Sequence, residues 1–271
     1  RAVLVFVAVL SLGGTVLGSP VIHEPGKSVE VLATDPLLQS VSGLAPRPGG
    51  GLYASTEMGL IVAISPAGDV QQVADLSASM MTLSNIAVDA DGMILVGDAS
   101  GVSPTNNIWE VSPGTGAATL VYGYAYSPTD IHLDSAGDML VVERLGIQGV
   151  SRIARDGSWR DVLLDAADQG WQDVPTGIDL DSEGNLLVGY RDDGAIYRLS
   201  AGGNPELFAH VPAGNSVLAL CFSPEGELFA ANDLTGDIYR IDAEGDVDLF
   251  ASGIDRPRYM TFDGTGRMCF A

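Results

Sequence analysis

Beyond the first eighteen residues, the chain alternates short apolar runs with turns rich in Gly, Asp and Pro. No stretch there sustains the 3.6-residue apolar stripe of an amphipathic helix, so the pattern predicts strands. One unit recurs: an apolar strand, a tight turn ending in Gly, a second strand, a third, another Gly turn and a fourth strand. Its clearest copy is GIDLDSEGNLLVGYRDDGAIYRLSAGGNPELFAHV, Gly177 to Val211, followed by LALCFSPEGELFAANDLTGDIYRIDAEGDVDLFASG, Leu218 to Gly253. Earlier copies begin NIAVDADGMILVGD at Asn85 and DIHLDSAGDMLVVE at Asp130. A degenerate copy, GLAPRPGGGLYAS, opens the series at Gly43, and a partial one, YMTFDGTGRMCFA, ends it from Tyr259.

The first-turn glycines are Gly50, Gly92, Gly137, Gly184, Gly226 and Gly266, separated by 42, 45, 47, 42 and 40 residues. The second-turn glycines Gly68, Gly116, Gly157, Gly203 and Gly245 follow them by 18, 24, 20, 19 and 19. Tight hairpins need a positive φ at one position, which glycine supplies without steric cost. Six residues before each first-turn glycine stands an apolar residue: Leu44, Ile86, Ile131, Ile178, Leu220 and Met260. Four short strands per ~40–45 residues mark the blade of a β-propeller.

The repeats therefore predict an all-β, six-bladed β-propeller. The sixth copy stops at Ala271 after its second strand, while SVEVLAT (Ser28 to Thr34) resembles the fourth strands PELFAHV and VDLFASG. An N-terminal strand that completes the last blade would close the ring and remove its open edges. The expectation is a sixth blade lacking its third strand, with ~10–20 further residues beyond Ala271.

The N-terminus carries a different signal. Arg1, then the apolar run AVLVFVAVLSL (Ala2 to Leu12), then GGTVLGSP, has the order of a secretory leader. The expected organisation is a leader over 1–18, cut before Ser19, and one propeller domain over 19–271. The chain opens on Arg rather than Met, so a truncated or processed start is expected. A span of Ala2 to Leu17 is shorter than the ~20 residues that cross a membrane. The protein is expected to be exported, periplasmic or extracellular, without membrane insertion once the leader is removed.

Composition narrows the partners. With 13 Lys and Arg against 35 Asp and Glu in 271 residues, the formal charge is −22. Phosphate backbones and anionic lipid require clustered cations, which excludes nucleic acid as an expected partner. At 46% apolar residues the acidity does not signal disorder. Cys221 and Cys269 form no Cys-x-x-Cys pair and read best as small buried apolar residues. The Asp-rich turns, such as Asp89-Ala90-Asp91-Gly92, lack the spacing of a calcium loop and read as side chains capping their own turns.

The copies containing PTGIDLDSEGNLLVGY and IYRLSAGG resemble NHL repeats and the propellers of the senescence-marker-protein/gluconolactonase family. The resemblance spans about Val29 to Ala271. It implies a divalent cation such as calcium at the channel mouth, held by Glu, Asn and Asp just before the first strand of several blades. The corresponding residues here, eight before each first-turn glycine, are Ser42, Ser84, Thr129, Thr176, Leu218 and Arg258. None is a carboxylate or amide, and the next position offers only Asn85 and Asp130. No metal ligand set is therefore expected. A streptogramin-lyase-like propeller would place a histidine base at the mouth, where none of His23, His132 and His210 is expected.

In a propeller, the loops entering first strands and those joining second to third strands share one face. Those loops supply Asn85, Tyr126, Asp130, Glu143, Arg144, Trp171, Arg191 and Arg258 as candidate ligand-binding residues, with Asp130 and Glu143 the acid/base candidates if catalysis occurs. Both carboxylates are also placed to pair with Arg144. Aromatics, carboxylates and guanidinium groups together suit a pocket for a small polar or sugar-like molecule, or a face for a protein partner. They equally suit a solvated loop surface with local ion pairs. The leading expectation is a monomeric ligand- or partner-binding propeller without cofactor. The alternatives are a metal-dependent hydrolase of lactones or related esters, and a cell-surface interaction module.

Overall fold

The computed structural model describes residues 5–10, 20–78, 82–99, 106–170, 173–200, 202, 204–212 and 216–271, with the side chains of 5–10 and Tyr124 excepted. The apolar runs form strands throughout, and the helical element among the described residues is one 3-10 turn, Pro36–Leu38. The strands assemble into six sheets. Five of them contain the four consecutive antiparallel strands of one repeat, so each of these repeats is one propeller blade. Val21–Ile22 adds a short outer strand to the fifth.

The first strands of the sheets are Val41–Pro46, Leu83–Val88, Pro128–Leu133, Pro175–Leu180, Val217–Phe222 and Met260–Phe262. Each packs against the next, and the last returns to the first, so they make a closed ring around a channel. Second strands such as Leu186–Tyr190 are buried at every position because sheets cover both of their faces. Fourth strands such as Val70–Asp75 show mixed exposure, as expected for the rim. The core is correspondingly divided into six apolar clusters, one in each gap between neighbouring sheets. In one gap Phe229 meets Phe250 edge-on at 4.9 Å and Phe262 at 5.8 Å. In the gap between the last sheet and the first, Ala33 and Cys269 pack with Leu44 and Leu52.

All six first-turn glycines have positive φ, between 80° and 106°. The Asp-rich turns cap themselves: Asp89 Oδ1 accepts from the N–H groups of Asp91 and Met93, and Asp181 Oδ1 from those of Glu183 and Asn185. The second-turn glycines serve a further purpose. A Cβ on Gly157 would lie 2.0 Å from the carbonyl oxygen of Val121, in the outer strand of the preceding sheet. Gly68 stands in the same relation to Leu32 O, at 2.0 Å, so Ser28–Thr34 seats against the first sheet as other outer strands seat against theirs. Gly203 lies outside the described residues.

The sixth sheet differs from the expectation. Its order is Met260–Phe262, Met268–Phe270, Val5–Leu10 and Ser28–Thr34, so the position expected to lack a strand holds one. Val5–Leu10 belongs to the segment read as a leader, and residues 1–4 and 11–18 of that segment lie outside the described residues. It runs parallel to both neighbours, whereas third strands in the five blades are antiparallel to theirs. Two facing sheet edges leave N–H and C=O groups unpaired, and the β-prone run VFVAVL satisfies them in either direction.

Candidate functional site

Side chains alternate along each first strand, and every second one turns inward. The channel they line has a volume of about 320 Å³ and is bounded by residues of all six first strands. One inward level contains Asn85 and Asp130. Two residues further along, the next contains His132, Asp179 and Cys221.

The polar groups here stitch the ring together. A first strand pairs on one edge only, which leaves N–H groups on the other edge in need of acceptors. Asn85 Oδ1 accepts from Leu44 N of the preceding sheet at 3.2 Å and from Ile86 N at 3.0 Å. Asn85 Nδ2 donates to Asp130 Oδ1, which also accepts from Ile131 N. Asp130 Oδ2 accepts from Ile178 N of the following sheet at 2.9 Å. Asp179 Oδ2 accepts in turn from Phe222 N at 2.7 Å. These bonds join five successive sheets.

His132 Nδ1 lies 3.2 Å from Asp179 Oδ1. Burial disfavours the imidazolium, but the Asp179 carboxylate, by charge and hydrogen bond, and the charge of Asp130 outweigh it and push the pKa up to about 9. Burial raises the Asp130 carboxyl against the opposing pull of His132 and its hydrogen bonds.

Above this level the channel opens into a mouth cavity of about 290 Å³. The two spaces share a collar of Thr129, Thr176, Leu218, Arg258 and Tyr259. The mouth is lined by residues of the two loop sets expected to converge, with Arg144, Arg191, Glu57 and Asp233 on second-to-third strand turns. These turns are tied to the neighbouring entry loops: Arg144 N donates to Ser127 O, Arg191 N to Val174 O and Glu57 N to Ser40 O. Thr129 Oγ1, Arg258 Nε and Asp233 Oδ1 are buried without a hydrogen bond among the described residues, although Arg258 Nε lies 3.6 Å from Asp233 Oδ2.

The structure thus brings Arg144, Arg191 and Arg258 to the mouth, and Asn85 and Asp130 to the channel below it. Glu143 is elsewhere. It is fully enclosed, pairs with Arg160 rather than Arg144, and accepts from Ser151 Oγ at 2.5 Å and Tyr126 N at 3.0 Å. Tyr126 packs its ring beneath Arg160 in the same cluster, outside both cavities. Trp171 lies outside the described residues. His132 and Asp179 were not among the expected site residues. Their signal was register: each stands five positions before a first-turn glycine, two beyond the Asn85/Asp130 level.

The cation implied by the gluconolactonase resemblance does not fit this donor set. The collar offers hydroxyls, an aliphatic side chain and a guanidinium group, and the oxygens of Asn85 and Asp130 are engaged by N–H donors. Among the described residues no three His, Cys, Asp or Glu side chains converge to hold a metal ion.

No protein-family model and no curated protein matches the chain. Solved structures do match in fold. A gluconolactonase from Xanthomonas campestris shares 20% identity, covering 86% of this chain and 84% of that one, with a TM-score of 0.68. Virginiamycin B lyase from Staphylococcus aureus shares 18% identity over 86% of this chain and 77% of that one, at 0.64. The PQQ-bound aldose sugar dehydrogenase from Streptomyces coelicolor shares 16% over 92% and 90%, at 0.66. The chain is a β-propeller. At such identities the likeness concerns fold, and one fold hosts many chemistries.

Proposed function

We propose that this protein is an exported, monomeric, six-bladed propeller of the NHL/gluconolactonase-like group that binds a small polar molecule at the top of its channel. The observation that carries the binding reading is the mouth cavity that narrows through a collar into the channel, with Thr129 Oγ1, Arg258 Nε and Asp233 Oδ1 left without hydrogen bonds along it. Buried polar atoms are almost always partnered, and a ligand would partner these. The six-blade reading draws support from the closed ring of first strands and from the seat of Leu32 against Gly68. Ser28–Thr34 then closes the last blade. The reversed direction of Val5–Leu10 sets that segment apart from the repeat and suits its reading as a leader. No helix among the described residues is long and apolar enough to cross a membrane.

The test of binding is ligand-observed NMR with neutral sugars and sugar acids, on the wild type and on Leu218→Trp, which plugs the collar. Saturable binding that the plug abolishes, with an unchanged unfolding midpoint, is the expected result. Binding that ignores the plug, or none from any member of the series, overturns the reading. Export is checked by N-terminal sequencing of secreted protein, with Ser19 the expected first residue.

A further inference from the structure

The cationic groups of this chain are scarce, and nearly all are spoken for. Arg152, Arg155, Arg160, Arg198, Arg240, Arg256, Arg258 and Arg267 each lie within ion-pair distance of a carboxylate. Arg47 lies over the ring of Tyr53. Among the described residues, Arg144 and Arg191 have neither a carboxylate nor a ring as partner, and both line the mouth cavity. In a chain of formal charge −22, with acids outnumbering bases 35 to 13, two such guanidinium groups converging on one cavity are not explained by stability.

We propose that Arg144 and Arg191 form a carboxylate-binding site at the mouth, and that the ligand is a small hydroxylated organic acid carrying one negative charge. This rests on the reading of the mouth as a binding site and adds what it recognises. The charges on the lining set the valence. Three guanidinium groups, Arg144, Arg191 and Arg258, face two carboxylates, Glu57 and Asp233, which leaves a single positive excess. Asp233 is held by Arg258 of the lining, with Arg256 beside it outside the cavity, so the unmatched charge of the lining falls on Arg144 and Arg191. A multiply charged anion such as phosphate would meet the repulsion of Glu57 and Asp233 without matching cations. A carboxylate suits the planar guanidinium fork, which donates two parallel N–H bonds to its oxygens. The backbone bonds that tie residues 144 and 191 to the neighbouring entry loops hold the two turns in place. The body of the acid then points down the funnel, where the free Thr129 hydroxyl meets a ligand hydroxyl. A neutral molecule of the same shape gains nothing from the arginines.

The experiment uses D-galacturonate, its uncharged methyl ester and inorganic phosphate as probes in calorimetric titrations of the whole chain. The variants are Arg144→Gln, Arg191→Gln and the Leu218→Trp plug. Both arginines are exposed, so the glutamine variants keep the fold, which their unfolding midpoints verify. Galacturonate is expected to bind the wild type at least about ten-fold more tightly than the ester or phosphate, and to lose about ten-fold in each glutamine variant. Equal, plug-sensitive binding of acid and ester overturns the carboxylate site while the mouth reading stands. Tighter binding of phosphate than of galacturonate overturns the valence argument and with it the proposal. No saturable binding of the acid or its ester overturns both the carboxylate site and the mouth reading.

Discussion

His132 Nδ1 and Asp179 Oδ1 stand 3.2 Å apart on neighbouring first strands, one repeat from each other along the chain. The pair lies on the channel wall, where Asp130 and Cys221 also face inward. Because the pKa of His132 is raised from 6.5 to about 9, its proton is held more tightly in the folded than in the unfolded chain. The linked stability is fully present below the unfolded value and is lost as pH rises through the folded one. It amounts to about 3 kcal/mol. Urea unfolding at about pH 6 and about pH 9.5 is expected to show that loss in the wild type and to lack it in His132→Gln. Imidazole NMR should place the His132 titration about 9. In Asp179→Asn it should fall by at least about one unit.

The Glu143–Arg160 pair gives a second expectation. Glu143 is wholly enclosed, so removing its charge strands a guanidinium group. Glu143→Gln should cost about 3–5 kcal/mol in chemical unfolding. The double variant Glu143→Leu, Arg160→Met should lose clearly less, because no unpaired charge is left behind.

Two glycines with similar φ separate strain from contact. Gly137 has φ +86° with open space around it, whereas Gly157 has φ +72° and abuts Val121 O. Gly137→Ala should cost about 1–2 kcal/mol for the left-handed backbone alone. Gly157→Ala should cost at least about twice that, since two sheets must separate to admit the methyl group. Unfolding midpoints of the two variants, compared side by side, settle the difference.

The thiols are expected to be silent. Cys221 and Cys269 are free and buried, and burial pushes the Cys269 thiol up to about 12 and raises Cys221 as well. Ellman's reagent should find no reactive thiol in the native protein and two in guanidinium chloride. Rapid native labelling of either cysteine would contradict their placement.

What the sequence made legible was whatever a single repeat contains. The first-turn glycines and the Asp caps follow from local backbone chemistry, and each appears where the pattern expects it. The placement of Arg144, Arg191 and Arg258 followed from the shared face of two loop sets. The hidden parts are relations between repeats. Asp130 reaches Ile178 N, and His132 reaches Asp179, only after the ring has formed, and no spacing within one unit announces either contact. Glu143 misled for the opposite reason. Its neighbour in sequence is Arg144, but successive strand residues face opposite ways, and the partner it meets is Arg160, two strands away in the same sheet. The strand Val5–Leu10 was invisible as such because its apolar run satisfies an export signal and a sheet edge equally well.

The second-turn glycines also give the ring a sense of rotation. Gly116, Gly157 and Gly245 each press on the outer strand of the preceding sheet, at Val73, Val121 and Phe208, and Gly68 does the same at Leu32. Each of these four seams is therefore made of two unlike halves, a bare glycine on one side and a carbonyl on the other. A repeat cut out alone presents one half at each border with nothing to receive it. Inserting or deleting a whole repeat would preserve the complementarity of each remaining seam and change only the number of units around the axis. The width of the channel, and with it the size of what can enter, is then set by how many copies of one small contact the gene contains.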